Sequence, residues 1–345
     1  MEMLYNSEML LDAFHGPAFT VIDGKICKVN LAAQKYMLCV GAPIDPLLGI
    51  HADTYHALEN GCLCTPVQFD GLTQDFCIYK ADGVGYFIAN TKTPDDLRCM
   101  ALAAVPLRNH LANISALADM LSAEKNSLSA ELNREIHRMS RLVCNMSDAA
   151  DLYIGSNQHL TDMSAMIAEV FDSAGTLLET IGITLHYKGI RKPVRGYADS
   201  QAVRRAIWNL ISNSAKFMPS GGQLHATLSQ HGNYLQLTLQ DTGEGIDPML
   251  LPTVFSRYRR EAAIEDSRYG IGLGLLIAGN IIRAHGGTLL IESIKGQGTR
   301  LTLTLSISNF SKEPLVSSVR SPDYAGGRDQ ALQELADILP ASFYE

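Results

Sequence analysis

The sequence predicts a mixed α+β chain of several domains. A small α/β module comes first, then a two-helix hairpin that forms a four-helix bundle in a dimer, then a C-terminal α/β sandwich. Three observations carry this. Strands joined through Asp-Gly turns mark the first 92 residues, unbroken apolar heptads follow on two consecutive segments, and strand and helix patterns alternate again from about 158 to 307. The composition fits: 345 residues, 46% hydrophobic and 19% charged, are enough for more than one core. Thirty-six acids against 28 Lys and Arg leave a net charge of −8, which argues against nucleic acid or an anionic membrane surface as partner. No apolar run approaches the length of a membrane span, and the N-terminus lacks the basic region of a signal peptide. Seven scattered cysteines do not form a disulfide framework, so a reduced, cytoplasmic setting is expected.

Residues 1–92 form the first module. Ala18–Ile22, the dipeptide Asp23-Gly24 and Lys25–Val29 read as a hairpin, because an Asp-Gly pair adopts the positive φ angles of a two-residue turn. Asn30–Cys39 has helical composition, and Thr73–Tyr79 with Val84–Ala89 forms a second strand pair around Ala81-Asp82-Gly83. Thr93-Pro94-Asp95-Asp96 then supplies a helix start: a capping hydroxyl, proline in the first turn and acids at the positive end of the dipole.

The hairpin spans residues 93–155. Leu97, Met100, Ala104, Leu107, Leu111, Ile114, Ala118 and Leu121 alternate in steps of three and four, as do Leu132, Ile136, Met139, Val143, Met146, Ala150 and Tyr153. One antiparallel hairpin cannot bury both sides of such a seam, whereas two can, so a homodimer is expected. Residues 156–308 hold strands at Thr184–Tyr187, Leu224–Ser229, Tyr234–Gln240, Gly287–Ile294 and Thr299–Ser306, with helices near 160–172, 199–217 and 272–285. Residues 309–345 are a linker and a short amphipathic segment with Leu332, Leu335, Ala336 and Leu339 on one face.

Four segments carry chemistry jointly. Asn209, Asn213 and Lys216 share a helix face, placing two hard carboxamide oxygens suited to Mg2+ beside an ammonium suited to phosphate. Asp241-Thr-Gly243-Glu-Gly245 follows a strand, where a carboxylate can accept from a purine amino group while the glycines admit a flat base. Val254–Arg260 holds Arg257, Arg259 and Arg260 with no acid among them. Gly270-Ile-Gly272-Leu-Gly274 opens a helix, a loop whose amides suit phosphate. Each piece alone is an ordinary turn or solvated face; the conjunction in this order is specific.

In that order the segments closely resemble the ATP-binding domain of sensor histidine kinases, the fold shared with gyrase and MutL, over roughly residues 158–307. The resemblance implies Mg-ATP as ligand, with Asn213 the Mg2+-chelating asparagine, Asn209 and Lys216 its phosphate-side neighbours and Asp241 the adenine reader. Gly243 and Gly245 match the first glycine box, and Gly270, Gly272 and Gly274 the second. Residues 256–269 correspond to a mobile lid with Arg257 and Arg260 on phosphate. The hairpin resembles the family's dimerisation and phosphotransfer helices, and residues 8–92 resemble a PAS-type sensor. The implied partner is the receiver domain of a response regulator.

One family position departs. Alignment on Leu107-Arg108-Asn109-His110-Leu111 puts Val105 in the phosphoacceptor slot and Pro106 in that of its activating acid, which puts autophosphorylation in doubt. Valine has no nucleophilic nitrogen and proline no acid–base group. His110 lies about 140° round the helix from that slot, and His137 and His159 are further histidines on or after the second helix. Asn109 stands where the family orients water for dephosphorylating a regulator. Three readings stay open: a kinase homologue with a relocated acceptor, an ATP-gated phosphatase using Asn109, and a non-catalytic nucleotide-switched scaffold. Cys62-Leu-Cys64, near His51 and His56, reads as core packing more readily than as a metal or redox site.

Overall fold

The computed structural model describes residues 16–69, 72–89, 127–150, 158–247, 273–307 and 329–344, with residues 11, 107, 111, 114 and 251. In the first module β1 (Ala18–Ile22) and β2 (Lys25–Val29) pair antiparallel as expected, and Asp23 takes φ 48° in the turn. The helix expected over 30–39 is only one turn, α1 (Leu31–Gln34), capped by Asn30 Oδ1, which accepts from Ala33 N at 2.8 Å. Two short helices, α2 (Asp45–Leu48) and α3 (Ala52–Ala57), precede three antiparallel strands, β3 (Gly61–Phe69), β4 (Leu72–Ala81) and β5 (Val84–Ala89). Phe19, Phe76 and Phe87 centre their core.

The second helix expected of the hairpin is α4 (Ser127–Ala150). Its Val143 packs with Leu111, both seam positions, whereas Leu132 and Met139 stand exposed on this single chain. Val105, Pro106, Asn109 and His110 lie outside the described residues.

The C-terminal half runs β6 (His159–Asp162), α5 (Met163–Glu179), β7 (Thr184–Lys188), β8 (Arg195–Ala198), α6 (Ser200–Lys216), β9 (Gln223–His231), β10 (Tyr234–Asp241), α7 (Gly274–Ala284), β11 (Leu289–Ile294) and β12 (Gly298–Ser306). Helices α5, α6 and α7 bury one apolar face each against the sheet, with Ile167, Phe171, Ile207, Ile211 and Ile277 among the fully covered side chains. Asp199 caps α6 by accepting from Ala202 N at 3.0 Å.

The two halves share one sheet. Its order among the described strands is β2-β1-β5-β4-β3-β11-β12-β10-β9-β7, and β3 pairs antiparallel with β11 through Cys64 opposite Leu289, Leu63 opposite Leu290 and Cys62 opposite Ile291. Only β7 and β9 run parallel in it. A last helix, α8 (Gln330–Glu334), is followed by a turn over 335–338 and a 3-10 turn, Ala341–Tyr344. Of the expected apolar face, Leu335, Ala336 and Leu339 are buried and Leu332 is partly buried against the same core, which Ala331 also joins.

Candidate functional site

The site is assembled on α6. Asn209, Asn213 and Lys216 project along one side of it, as the four- and three-residue spacing requires. Asn209 is fully buried; its Nδ2 donates to the Arg205 carbonyl at 3.1 Å, while its Oδ1 has no hydrogen-bond partner. A carboxamide oxygen in that position costs desolvation free energy that a ligand or a bound cation would recover. Opposite it α7 begins at Gly274. A Cβ there would stand 2.9 Å from Asn209 Oδ1 and 3.4 Å from Asn213 Nδ2, so the glycine leaves room for the two amides at the helix start.

Asp241 closes the other side at the end of β10. Its Oδ1 accepts from Gly243 N and from Thr299 N, each at 3.0 Å, and the Ser214 hydroxyl also bonds the carboxylate. Burial pushes the Asp241 carboxyl above its ordinary range, and those three donors pull it partly back. The loop after it lies flush on the β11–β12 turn: Gly245 has φ +67°, and a Cβ there would meet the Ile294 carbonyl oxygen at 2.1 Å. Glu244 N donates to Phe217 O at 3.0 Å and Gly296 N to Glu244 O at 2.7 Å, tying loop, α6 and turn together. The result is a buried, hydrogen-bonded carboxylate at the end of β10 and an asparagine pair on α6 facing the start of α7.

Residues 198–309 match the family described as "Histidine kinase-, DNA gyrase B-, and HSP90-like ATPase". They belong to a histidine-kinase-family ATP-binding domain. Histidine protein kinase DivJ of Caulobacter vibrioides is 32% identical over 146 residues, 42% of this chain and 24% of its own length. Sensor histidine kinase CusS of Escherichia coli K12 is 30% identical over 175 residues, 50% of this chain and 36% of its own. Sensor histidine kinase RppB of Synechocystis is 28% identical over 229 residues, 63% of this chain and 50% of its own. The chain thus spans a quarter to a half of the length of these relatives. Among solved structures, full-length ShkA in complex with AMPPNP shares the fold at a TM-score of 0.50 and 20% identity, over 63% of this chain and 47% of that one.

Within the ATP-binding domain, the structure brings Asn209, Asn213, Asp241, Gly243, Gly245 and Gly274 together around α6. Arg257, Arg260, Gly270 and Gly272 lie outside the described residues. Lys216 is on the expected helix face, but its ammonium is bound by Asp337 from the C-terminal segment. Burial lowers the Lys216 pKa, helped by the Arg141 charge and opposed by Asp337. That partner is 121 residues away in sequence, and no local pattern signals it. Ser214 and the Thr299 amide were equally invisible as Asp241 partners, although Thr299 follows a glycine turn that the sequence marks.

The remaining histidines and cysteines have structural settings. His137 is buried, its Nδ1 at 2.8 Å from the Asn133 carbonyl and its ring against Tyr344. His159 begins the short strand β6. Cys62 and Cys64 are buried in the core, and His56 contacts Asp45 at 2.6 Å. No group of three or more metal-ligating side chains occurs among the described residues. Nor is any described helix long and apolar enough to cross a membrane.

Proposed function

We propose that the chain is a two-component sensor histidine kinase homologue that binds Mg-ATP and acts on the receiver domain of a response regulator. The observation that carries the nucleotide reading is the unsatisfied Asn209 Oδ1 beside Asn213 at the start of α7, with Asp241 held by three donors across the site. These residues fit the ligand. Asn213 would hold Mg2+, Asn209 and Lys216 would stand on the phosphate side, and Asp241 would accept from the adenine amino group. Mg2+ supplies countercharge to the phosphate oxygens. By the resemblance, Arg257, Arg260, Gly270 and Gly272 would complete the phosphate side.

In this reading residues 1–92 are a PAS-like sensor, 93–155 the dimerisation hairpin, 156–308 the ATP-binding domain and 309–345 a linker with its terminal segment. The protein is cytoplasmic and homodimeric. Support for the dimer comes from α4, where Leu132 and Met139 are 39% and 47% exposed on one chain although both are seam positions. A second hairpin would cover them.

Catalytic direction turns on the first helix. Val105 and Pro106 occupy the positions of acceptor and activator, and His137, buried under Tyr344, is poorly placed to replace them. The reading favoured by those residues is a phosphatase in which Asn109 holds water against a regulator's phospho-aspartate, with nucleotide controlling access; a scaffold without catalysis is the alternative. Purified protein incubated with γ-labelled ATP and Mg2+ should give no acid-labile label, and Asn109→Ala should slow dephosphorylation of a phosphorylated receiver domain. Acid-labile label lost on changing His110 would contradict this and restore a kinase with a relocated acceptor. Equal dephosphorylation by wild type and Asn109→Ala would leave the scaffold.

A further inference from the structure

The C-terminal segment holds Lys216, the lysine that the nucleotide reading assigns to the phosphate side. Asp337 lies in the turn after α8. One of its oxygens, Oδ2, takes the Lys216 ammonium and, at 2.7 Å, Arg141 Nη1 of α4. Its other oxygen is 3.8 Å from Arg138 Nε. Three residues earlier Glu334, almost wholly buried, accepts from Arg141 Nε at 2.9 Å and stands 3.7 Å from Arg205 Nε of α6. Two carboxylates of the segment therefore sit among four cations, two from the hairpin helix and two from the ATP-binding domain.

Apolar and backbone contacts fix the segment in register. Ala331, Leu335, Ala336 and Leu339 enter the core of the ATP-binding domain. Arg138 Nε donates to the Ala336 carbonyl at 3.0 Å, and Asn133 Nδ2 to the Tyr344 carbonyl at 3.0 Å. Burial works against the Asp337 carboxylate, yet Lys216, Arg141 and Arg138 together hold its pKa below the ordinary value.

We propose that the segment is an intramolecular clamp whose Asp337 competes with the phosphates of a bound nucleoside triphosphate for Lys216, so that nucleotide binding and segment docking oppose each other. The inference rests on reading Lys216 as a phosphate-side residue. Carboxylate and phosphate oxygens ask the same thing of an ammonium, a short charge-assisted hydrogen bond. Both anions at one lysine would repel across a few ångströms in a partly buried setting, where screening by salt is weak. The consequence reaches beyond the site, because the carboxylate that holds Lys216 also holds Arg141. Releasing one weakens the bridge between α4 and the ATP-binding domain. By reciprocity, anything that pulls the segment away raises the affinity for nucleotide by the same factor.

The test uses the full chain, Mg2+ and AMPPNP as the probe. Asp337→Asn keeps the shape and removes the charge, and should bind AMPPNP at least about fivefold tighter than wild type, the lower end of usual coupling. In the wild type, saturating Mg-AMPPNP should speed amide hydrogen exchange over residues 330–339, a readout independent of whether the variant folds. Equal or weaker affinity in a folded Asp337→Asn, or exchange over 330–339 that saturation leaves unmoved, overturns the clamp while leaving the nucleotide site standing. Absence of AMPPNP binding by wild type and variant alike at millimolar concentration overturns the site and the clamp with it.

Discussion

The ATP-binding domain is covered on two flanks by different chemistry. On one flank the first module joins it by a backbone ladder, β3 against β11, with Cys62, Cys64, Leu289 and Ile291 buried along the joint. On the other the C-terminal segment joins it through carboxylates set among arginines and a lysine. Backbone pairing backed by apolar burial has no soluble competitor and loses little to salt. A carboxylate on an ammonium can be replaced by any stronger anion that reaches it. The first joint makes one structural body of two modules; the second is exchangeable.

The largest effect should come from breaking the permanent joint. Leu289→Asp would bury a carboxylate opposite Cys64, where the nearest cation, Arg283, is already engaged by Asp75, costing about 3 kcal/mol or more. Calorimetry should show the first module and the ATP-binding domain destabilised together. If only one transition moves, the ladder does not unite them.

Breaking the exchangeable joint should cost less. Glu334→Ala removes one of the two carboxylates on buried Arg141, leaving Asp337, a loss of up to about 3 kcal/mol if the segment stays in place. The segment can instead undock, so the loss is capped by its own docking free energy. Hydrogen exchange over 330–344 should rise to that of an open segment while β3 and β11 stay protected.

A pH dependence lies between the two. His285, at the end of α7, accepts from Asp199 N through Nε2 at 3.0 Å and sits 2.7 Å from the Ile281 carbonyl through Nδ1. It thereby ties the helix bearing Arg283, which reaches Asp75 and Cys64 at the first joint, to the helix bearing Lys216 at the second. Burial lowers its pKa from 6.5, opposed by the Ile281 carbonyl and by Asp199. As pH falls through 6.5 the unfolded chain takes up a proton that the folded chain resists, so stability is present above that pH and lost below it. Denaturant unfolding at falling pH should show this loss, and His285→Gln should remove that part of it.

The smallest effect is expected for Asp337→Asn. Its carboxylate is a third exposed, so the substitution should change global stability by no more than about 1 kcal/mol.

The same contrast governs what the sequence revealed. The hairpin turns were legible because Asp-Gly has few other uses: Asp23 and Asp82 take φ 48° and 51° as expected. The shared face of Asn209, Asn213 and Lys216 was legible because helical spacing is local. Strand β3 was not, since Gly61–Phe69 is a nearly continuous buried run without alternation and carries Pro66, which usually marks an edge. Its pairing with β11 joins residues more than two hundred positions apart, and periodicity holds no information about such a partner. The Asp337–Lys216 contact escaped for the same reason: a single acid in a short amphipathic segment reads as a solvated residue until the fold places a cation against it.

Nucleotide binding by the intact chain is the most direct test of the ATP site. Titration with ATP, with and without Mg2+, should show binding for wild type, loss of the Mg2+-dependent part for Asn213→Ala, and loss of preference for adenine over guanine nucleotides for Asp241→Ala. Wild-type protein that binds no ATP at millimolar nucleotide and Mg2+, or Asn213→Ala that binds as wild type does, would contradict it.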